Sequence, residues 1–213
     1  MRALLALGVL AIAGCSSADT TPKTVVEPAP SPKAVTVCEY PAGPYGYRVG
    51  DTVPADLTWS GLGAGGTPVT YHSADVLDCD GTKGINAIVF DSSAEWCPAC
   101  QQEAREFEQI IRTNWGPNGV QIITLMIEDN AHNPTTDINV ASKWMKNYGL
   151  QNVPVLMDPD FKFASATSGT IGLPYNVLVN PRDMKIVKVA YHPGPGGNDT
   201  AMNALVAANK IQQ

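Results

Sequence analysis

The spacing of apolar residues changes from strand-like to helix-like several times along the chain. Ile85 to Phe90 is an apolar, β-branched run of the kind that forms a buried central strand. After it, Cys100, Ala104, Phe107 and Ile111 recur at helical spacing, while Gln101, Glu103, Arg105, Glu106 and Glu108 mostly fill the opposite face. Pro98 fits the first helical position, where its missing N–H is no loss. Gly119 to Ile127 predicts a second buried strand, parallel to the first through a right-handed crossover. Past the polar loop Ala131 to Thr136, Asp137 to Tyr148 predicts a helix with Ala141, Trp144, Met145 and Tyr148 on one face and Gly149 as its stop. Val153 to Met157 predicts a short strand, ended by the turn Asp158-Pro159-Asp160, and Phe161 to Ser168 a short irregular helix. Tyr175 to Val179 and Lys185 to Tyr191 predict a hairpin around Asn180-Pro181-Arg182-Asp183. Asp199 or Thr200 can cap a final helix reaching about Ile211, with Met202, Leu205 and Val206 inward. Residues 38 to 84 are turn-rich, with glycine and proline clusters at Tyr40–Gly46, Gly61–Gly66 and Asp78–Gly84. The alternation predicts an α/β core over 85–213, a central mixed sheet flanked by helices, behind an N-terminal β-rich extension over 38–84.

The chemistry concentrates where the first strand hands over to its helix, at Trp96-Cys97-Pro98-Ala99-Cys100. With Pro98 at the first helical position, Cys97 falls at the cap, beside unpaired N–H groups and the positive end of the helix dipole. A thiolate is stabilised there, and the thiolate is the reactive form. Cys100 lies one turn further in, close enough to attack a mixed disulfide on Cys97. The alternative for a C-x-x-C pair is half of a zinc site, which needs two more ligands at suitable spacing. Cys38 and Cys79 are isolated and His72, His132 and His192 scattered, so the spacing favours a redox dithiol with no metal and no cofactor.

Phe90-Asp91-Ser92-Ser93-Ala94-Glu95-Trp96-Cys97-Pro98-Ala99-Cys100 resembles the active-site segment of thioredoxin-fold proteins. Asp91 matches the buried aspartate of thioredoxin, and Glu103 matches a glutamate of the exported TlpA/ResA branch. Val49-Gly50-Asp51-Thr52-Val53-Pro54 resembles the opening of redoxin-type domains, which add an N-terminal β-hairpin to that core. The resemblance spans roughly residues 49 to 211. It departs from the branch at Arg105, where a helix-kinking proline is common, and at Ser92 and Ser93, where the usual aromatic pair is reduced to Phe90.

The resemblance implies a thioredoxin-like fold and a thiol–disulfide oxidoreductase. It makes Cys97 the nucleophile and Cys100 the resolving thiol. Pro174, in Gly172-Leu173-Pro174-Tyr175, is similar in placement to the cis proline that opens the strand running past the cysteines. A plain strand-start proline is the alternative. Asp91, if buried, would have a raised pKa and could take the Cys100 proton. Glu103 is either a proton carrier or a solvated helix carboxylate. Trp96 would shield the disulfide and offer a flat apolar contact. Two other functions resemble parts of this pattern. Peroxiredoxins place a threonine where Ala94 stands, and Sco-like copper chaperones use a wider cysteine spacing with a distant histidine, for which His192 is the candidate.

Composition and charge narrow the setting. The 213 residues are 44% hydrophobic and 16% charged, as in a globular domain, and the net charge of −6 includes no basic cluster to neutralise phosphate, which excludes nucleic acid as a partner. Arg2 and the short apolar run Ala3 to Ala13 read as a targeting segment over residues 1–14, too short to span a bilayer. Ile12-Ala13-Gly14-Cys15 resembles a bacterial lipobox, which implies lipidation of Cys15 and a lipoprotein held at the periplasmic side of a membrane, the outer membrane being favoured by Ser16. Residues 15–37 then form the anchor and a proline-rich tether. If Cys15 is lipidated, four of the five cysteines remain. An exported compartment permits disulfides, so Cys38 and Cys79 form either a structural bridge or, through one of them, a third redox partner. Tyr45 and Tyr47 lie in an aromatic and glycine cluster that is either a packed lobe or a binding surface. The expected partners are exported protein thiols or disulfides, an upstream electron donor or acceptor, and the membrane through the lipid. Ala99, where strongly oxidising relatives carry histidine, leans the direction toward reductase.

Overall fold

The computed structural model describes residues 38–164, 171–190, 192 and 195–210. The expected targeting segment, Cys15 and the tether lie outside the described residues, as do the second half of the irregular helix expected from Phe161 to Ser168 and the ends expected at Tyr191 and Ile211.

Seven strands form one sheet: β1 (Thr58–Leu62), β2 (Pro68–His72), β3 (Ala87–Ala94), β4 (Val120–Glu128), β5 (Val155–Met157), β6 (Tyr175–Val179) and β7 (Ile186–Val189). Their order is β2-β1-β5-β4-β3-β6-β7. The central strands β3, β4 and β5 are parallel, and the pairings to β1, β6 and beyond are antiparallel, so the sheet is mixed. Within the turn-rich stretch before residue 85, the hairpin β1–β2 extends the core sheet by pairing with β5.

Three helices follow the strand ends: α1 (Pro98–Ile110), α2 (Ile138–Tyr148) and α3 (Thr200–Lys210). The two crossovers β3-α1-β4 and β4-α2-β5 step in the same direction across the sheet. A common right-handed connection therefore puts both helices on one face. Ala87 and Val89 of β3 join Ala104 and Phe107 of α1, Ala141 and Trp144 of α2, and Met202 and Val206 of α3 in one core cluster. The alternate residues Ile88 and Phe90 point into a second cluster with Val53, Leu57, Trp59, Leu77 and Phe163. Phe90 stacks on Phe163 at 4.7 Å between ring centroids, and Tyr47 meets Phe163 edge-on at 5.8 Å. Tyr47 is thus packed into this second layer, whereas Tyr45 is half exposed. With both faces covered, β3 is buried along its whole length, as its unbroken apolar start suggests.

Caps set the helix bounds. Asp137 accepts from the Asn139 N–H at 2.9 Å, and Gly149 closes α2 in the left-handed region at φ 68°. Asp199 accepts from the N–H groups of Ala201 and Met202, which starts α3. Along α3 the inward residues are Met202, Val206 and Asn209, with Leu205 half-buried. Helix α1 continues as a π turn, Ile111–Trp115, which carries Trp115 into the core.

Arg182, in the β6–β7 turn, ties distant segments together. Its guanidinium donates to the carbonyls of Asp78, Ile85 and Asn209 and to Asn86 Oδ1, and pairs with the buried Asp78 carboxylate at 3.1 Å. A charge this buried is tolerated because an opposite charge and several acceptors meet it. Cys38 and Cys79 are disulfide-bonded beside this node, with a Cα–Cα distance of 5.7 Å.

Candidate active site

Strand β3 runs four residues beyond the expected end at Phe90, through Asp91, Ser92 and Ser93 to Ala94. These polar residues stay in a buried strand because Asp91 finds hydroxyl partners. Ser93 Oγ donates to it at 2.9 Å and Thr124 Oγ1, on the neighbouring strand, at 3.0 Å. A register shift between Ser93 and Ala94 then ends the regular pairing and turns the chain into Glu95-Trp96-Cys97.

Cys97 is the N-cap of α1, with extended backbone (φ −80°, ψ 112°), and Pro98 opens the helix. Cys97 and Cys100 are disulfide-bonded, and Cys97 Sγ accepts the Cys100 N–H at 3.1 Å. The cap sulfur therefore takes the place that a serine or aspartate oxygen fills in other helices. Both cysteines are buried, but an open groove of about 500 Å³ is lined by Trp96, Cys97, Ala99, Ile127, Phe161 and Leu173 and does not reach Cys100. A partner in this groove meets Cys97 first.

The groove walls are held by polar contacts behind them. Trp96 Nε1 donates to Glu128 at 2.7 Å, and the His132 ring stacks on the indole at 4.4 Å. Glu95 accepts the Asn130 N–H at 3.0 Å, so the loop after β4 is anchored to the segment before the cysteines. Opposite, the Leu173–Pro174 peptide bond is cis, and Pro174 is buried at the start of β6.

Below the disulfide lies a row of polar side chains. Asp91 pairs in register with Thr124 of β4 and with Asn176 of β6, so the three share the helix-facing side of the sheet. Asn176 Nδ2 donates to both carboxylate oxygens of Glu103, at 3.0 Å each. Glu103 follows Cys100 by one turn of α1 and is half-buried rather than solvated. Burial is the main cause that pushes Asp91 up to about 6, against the pull of the Ser93 and Thr124 hydroxyls. Burial, then the neighbouring Asp91 charge, pushes Glu103 up to about 8, while the Asn176 amide opposes the rise. Two carboxylates that both resist ionisation sit beneath a dithiol whose opening needs a proton moved.

The structure brings Trp96, Cys97, Cys100, Asp91, Glu103 and Pro174 to one end of the sheet. Cys38 and Cys79 lie toward the other, next to Asp78, which hydrogen-bonds Ile85 and Pro181. Sequence reasoning missed Thr124, Asn176, Glu128 and His132. Asn176 is a polar residue among the apolar neighbours of β6, and Thr124 interrupts the apolar run Ile122 to Ile127 of β4; those interruptions are the signal that could have marked them. Among the described residues no three His, Cys, Asp or Glu side chains gather as a metal site.

The Redoxin family model matches residues 48–206, from the segment before β1 through most of α3. The chain belongs to the redoxin family. This membership makes it a thiol–disulfide oxidoreductase of thioredoxin fold. The fold is shared with a candidate thiol:disulfide interchange protein DsbE from Chlorobium tepidum, at 18% identity and TM-score 0.52, covering 77% of this chain and 99% of that one. A candidate electron transfer protein from Aquifex aeolicus VF5 is similar at 18% identity and TM-score 0.52, over 78% and 99% of the two chains. Mycobacterium tuberculosis AhpC is similar at 15% identity and TM-score 0.51, over 76% and 94%. No curated protein matches in sequence.

Proposed function

We propose that this redoxin exchanges disulfides with exported proteins through the Cys97–Cys100 pair, acting as a reductase at the periplasmic side of a membrane to which Cys15 anchors it by lipid. The observation that carries this reading is the position of the disulfide. It caps α1 and exposes one sulfur, that of Cys97, to an apolar groove.

In the reduced protein the free N–H groups of the first helical turn favour a Cys97 thiolate. The thiolate attacks one sulfur of a substrate disulfide. A Cys97–substrate bond forms, the substrate S–S bond breaks, and its electron pair leaves on the other substrate sulfur. Cys100 then gives up its proton and attacks Cys97 Sγ. The Cys97–Cys100 bond forms, and the Cys97–substrate bond breaks to release a second thiolate. The dithiol has lost two electrons and the substrate has gained them. The Cys100 proton needs an acceptor in a buried place, and Asp91 and Glu103 are the carboxylates beneath it. An upstream donor protein must re-reduce the pair. Trp96 and the segment before Pro174, with Ile171 and Leu173, form the two walls against which a substrate chain would lie.

The peroxidase alternative has less support, because Ala94 is a buried methyl where peroxiredoxins carry a hydroxyl. The copper alternative rests on His192, which is exposed and makes no contact with either cysteine among the described interactions.

The test is a Cys100→Ser variant mixed with a disulfide-bonded cysteine peptide. A stable mixed disulfide on Cys97, found by peptide mass mapping, supports the reading, and adduct on another cysteine or none rejects it. Equilibration of the wild-type pair in thiol buffers gives direction: a potential near or below about −250 mV fits a reductase and one near −120 mV an oxidant.

A further inference from the structure

Asn176 stands out among the buried polar groups because it does more than the fold requires. It is the second residue of β6, an otherwise apolar strand whose other members are of the types that favour a pleated, buried surface. Its side chain is fully buried, and its Oδ1 has no hydrogen-bond partner. Leaving such an acceptor unpaired costs stability, and Asn176, unlike Trp59 and Trp144 whose buried indole nitrogens share this state, brings no large apolar ring to offset it. Its Nδ2 meanwhile donates to both oxygens of Glu103, across 73 residues of sequence, and is the hydrogen-bond donor the structure gives that carboxylate.

We propose that Asn176 is a positioning residue for disulfide exchange, holding Glu103 from strand β6 so that its carboxylate stays within the polar row under Cys100 and can carry a proton for it. This deepens the exchange reading above and rests on it. An amide suits the task because it can serve either protonation state. Toward the ionised carboxylate the NH2 donates, as seen here. Toward the protonated acid, a half-turn of the amide would present Oδ1 as the acceptor that the new O–H needs. The orphan oxygen is then a partner held in reserve.

The groups facing Glu103 are few. On β3 the Asp91 carboxylate disfavours its ionisation, and on α1 Glu106 does so more weakly; burial is the largest cause. β4 contributes only the Thr124 hydroxyl, which serves Asp91, and β6 contributes Asn176. Among the described residues Asn176 is thus the side chain that lowers the proton affinity of Glu103. During resolution Cys100 S–H gives its proton to the Glu103 carboxylate as its sulfur bonds to Cys97 Sγ. The electron pair of the broken Cys97–substrate bond leaves on the substrate sulfur, which can then take that proton.

The experiment titrates Glu103 by carbon-13 NMR in the oxidised protein, where no turnover is needed, in wild type and in Asn176→Leu. The same variants are followed for the pH profile of mixed-disulfide resolution in single turnover. We expect the Glu103 midpoint to rise by at least about one unit in Asn176→Leu, a tenfold change in its proton affinity, with the pH profile moving in step. In a Glu103→Gln background, Asn176→Leu should leave the pH profile unmoved. An unshifted midpoint in a folded variant overturns the proposal, and so does a shifted midpoint with an unshifted rate profile. Should Asn176→Leu not fold, Asn176→Ala decides the same question. If wild type shows no exchange at all, the exchange reading fails, while the titration still reports on the Asn176–Glu103 contact.

Discussion

The indole N–H of Trp96 donates to the Glu128 carboxylate at 2.7 Å, which ties the residue before the first cysteine to the end of β4. The bond fixes the tilt of a groove wall, and His132 stacks on that wall. A Trp96→Phe substitution keeps an apolar ring but removes the donor. We expect KM for a disulfide peptide to rise about three- to tenfold with kcat nearly unchanged, since a lost hydrogen bond is worth about 1 kcal/mol. Steady-state kinetics at fixed pH read the split. A fall in kcat alone would mean the indole serves the chemistry instead.

Asp91 is fully buried and its carboxyl is pushed up to about 6. The folded value stands above the unfolded one, so the native state binds more protons between them. Its favourable share of stability is complete below about pH 4 and is lost as pH rises through 6. Asp91→Asn should therefore gain stability over wild type by about 3 kcal/mol at pH 8 and show little gain near pH 4. Denaturant unfolding at the two pH values checks this, and a gain of equal size at both would rule out titration as the cause.

Glu103 titrates higher, near 8, with burial the main cause and Asp91 the second. As a proton acceptor it works best once ionised, so the resolution rate should climb as pH passes through 8. Glu103→Gln should remove that rise and slow resolution by about a hundredfold, the lower range for general base catalysis. Quenched-flow trapping of the mixed disulfide measures it.

The Cys38–Cys79 bridge closes a loop across 41 residues at the end of the sheet remote from the groove. Its removal in a Cys38→Ser, Cys79→Ser double variant should cost about 3–4 kcal/mol in the chain-entropy model. Exchange rates below the unfolding temperature should stay within about twofold of wild type. A large loss of rate in the folded variant would bring these cysteines into the redox cycle after all.

Much of this fold is legible in the order of residues because its signals are local. Pro98 after a cap residue, the helical spacing from Cys100 to Ile111, and Asp137 with Gly149 around α2 each report on a few neighbouring positions. The cysteine pair is read the same way, from a two-residue spacing at a strand–helix junction. What the order hides is pairing between strands. That Asp91 stands between Thr124 and Asn176 depends on the register of three strands whose members are 33 and 52 positions apart along the chain, and no local pattern states a register. The early end expected for β3 at Phe90 has the same origin. Asp91, Ser92 and Ser93 are poor strand formers until Thr124 arrives from β4 to satisfy the carboxylate.

Arg182 gives the chain a late closing step. A polypeptide made from its N-terminus presents Asp78 long before its guanidinium partner exists, 104 residues later, and the Asn209 carbonyl follows after a further 27. Until then the buried acid of the first half has no counter-charge, and the layer built from residues before β3 cannot settle on the sheet. The packing of the first half is therefore complete only when the last helical turn is in place.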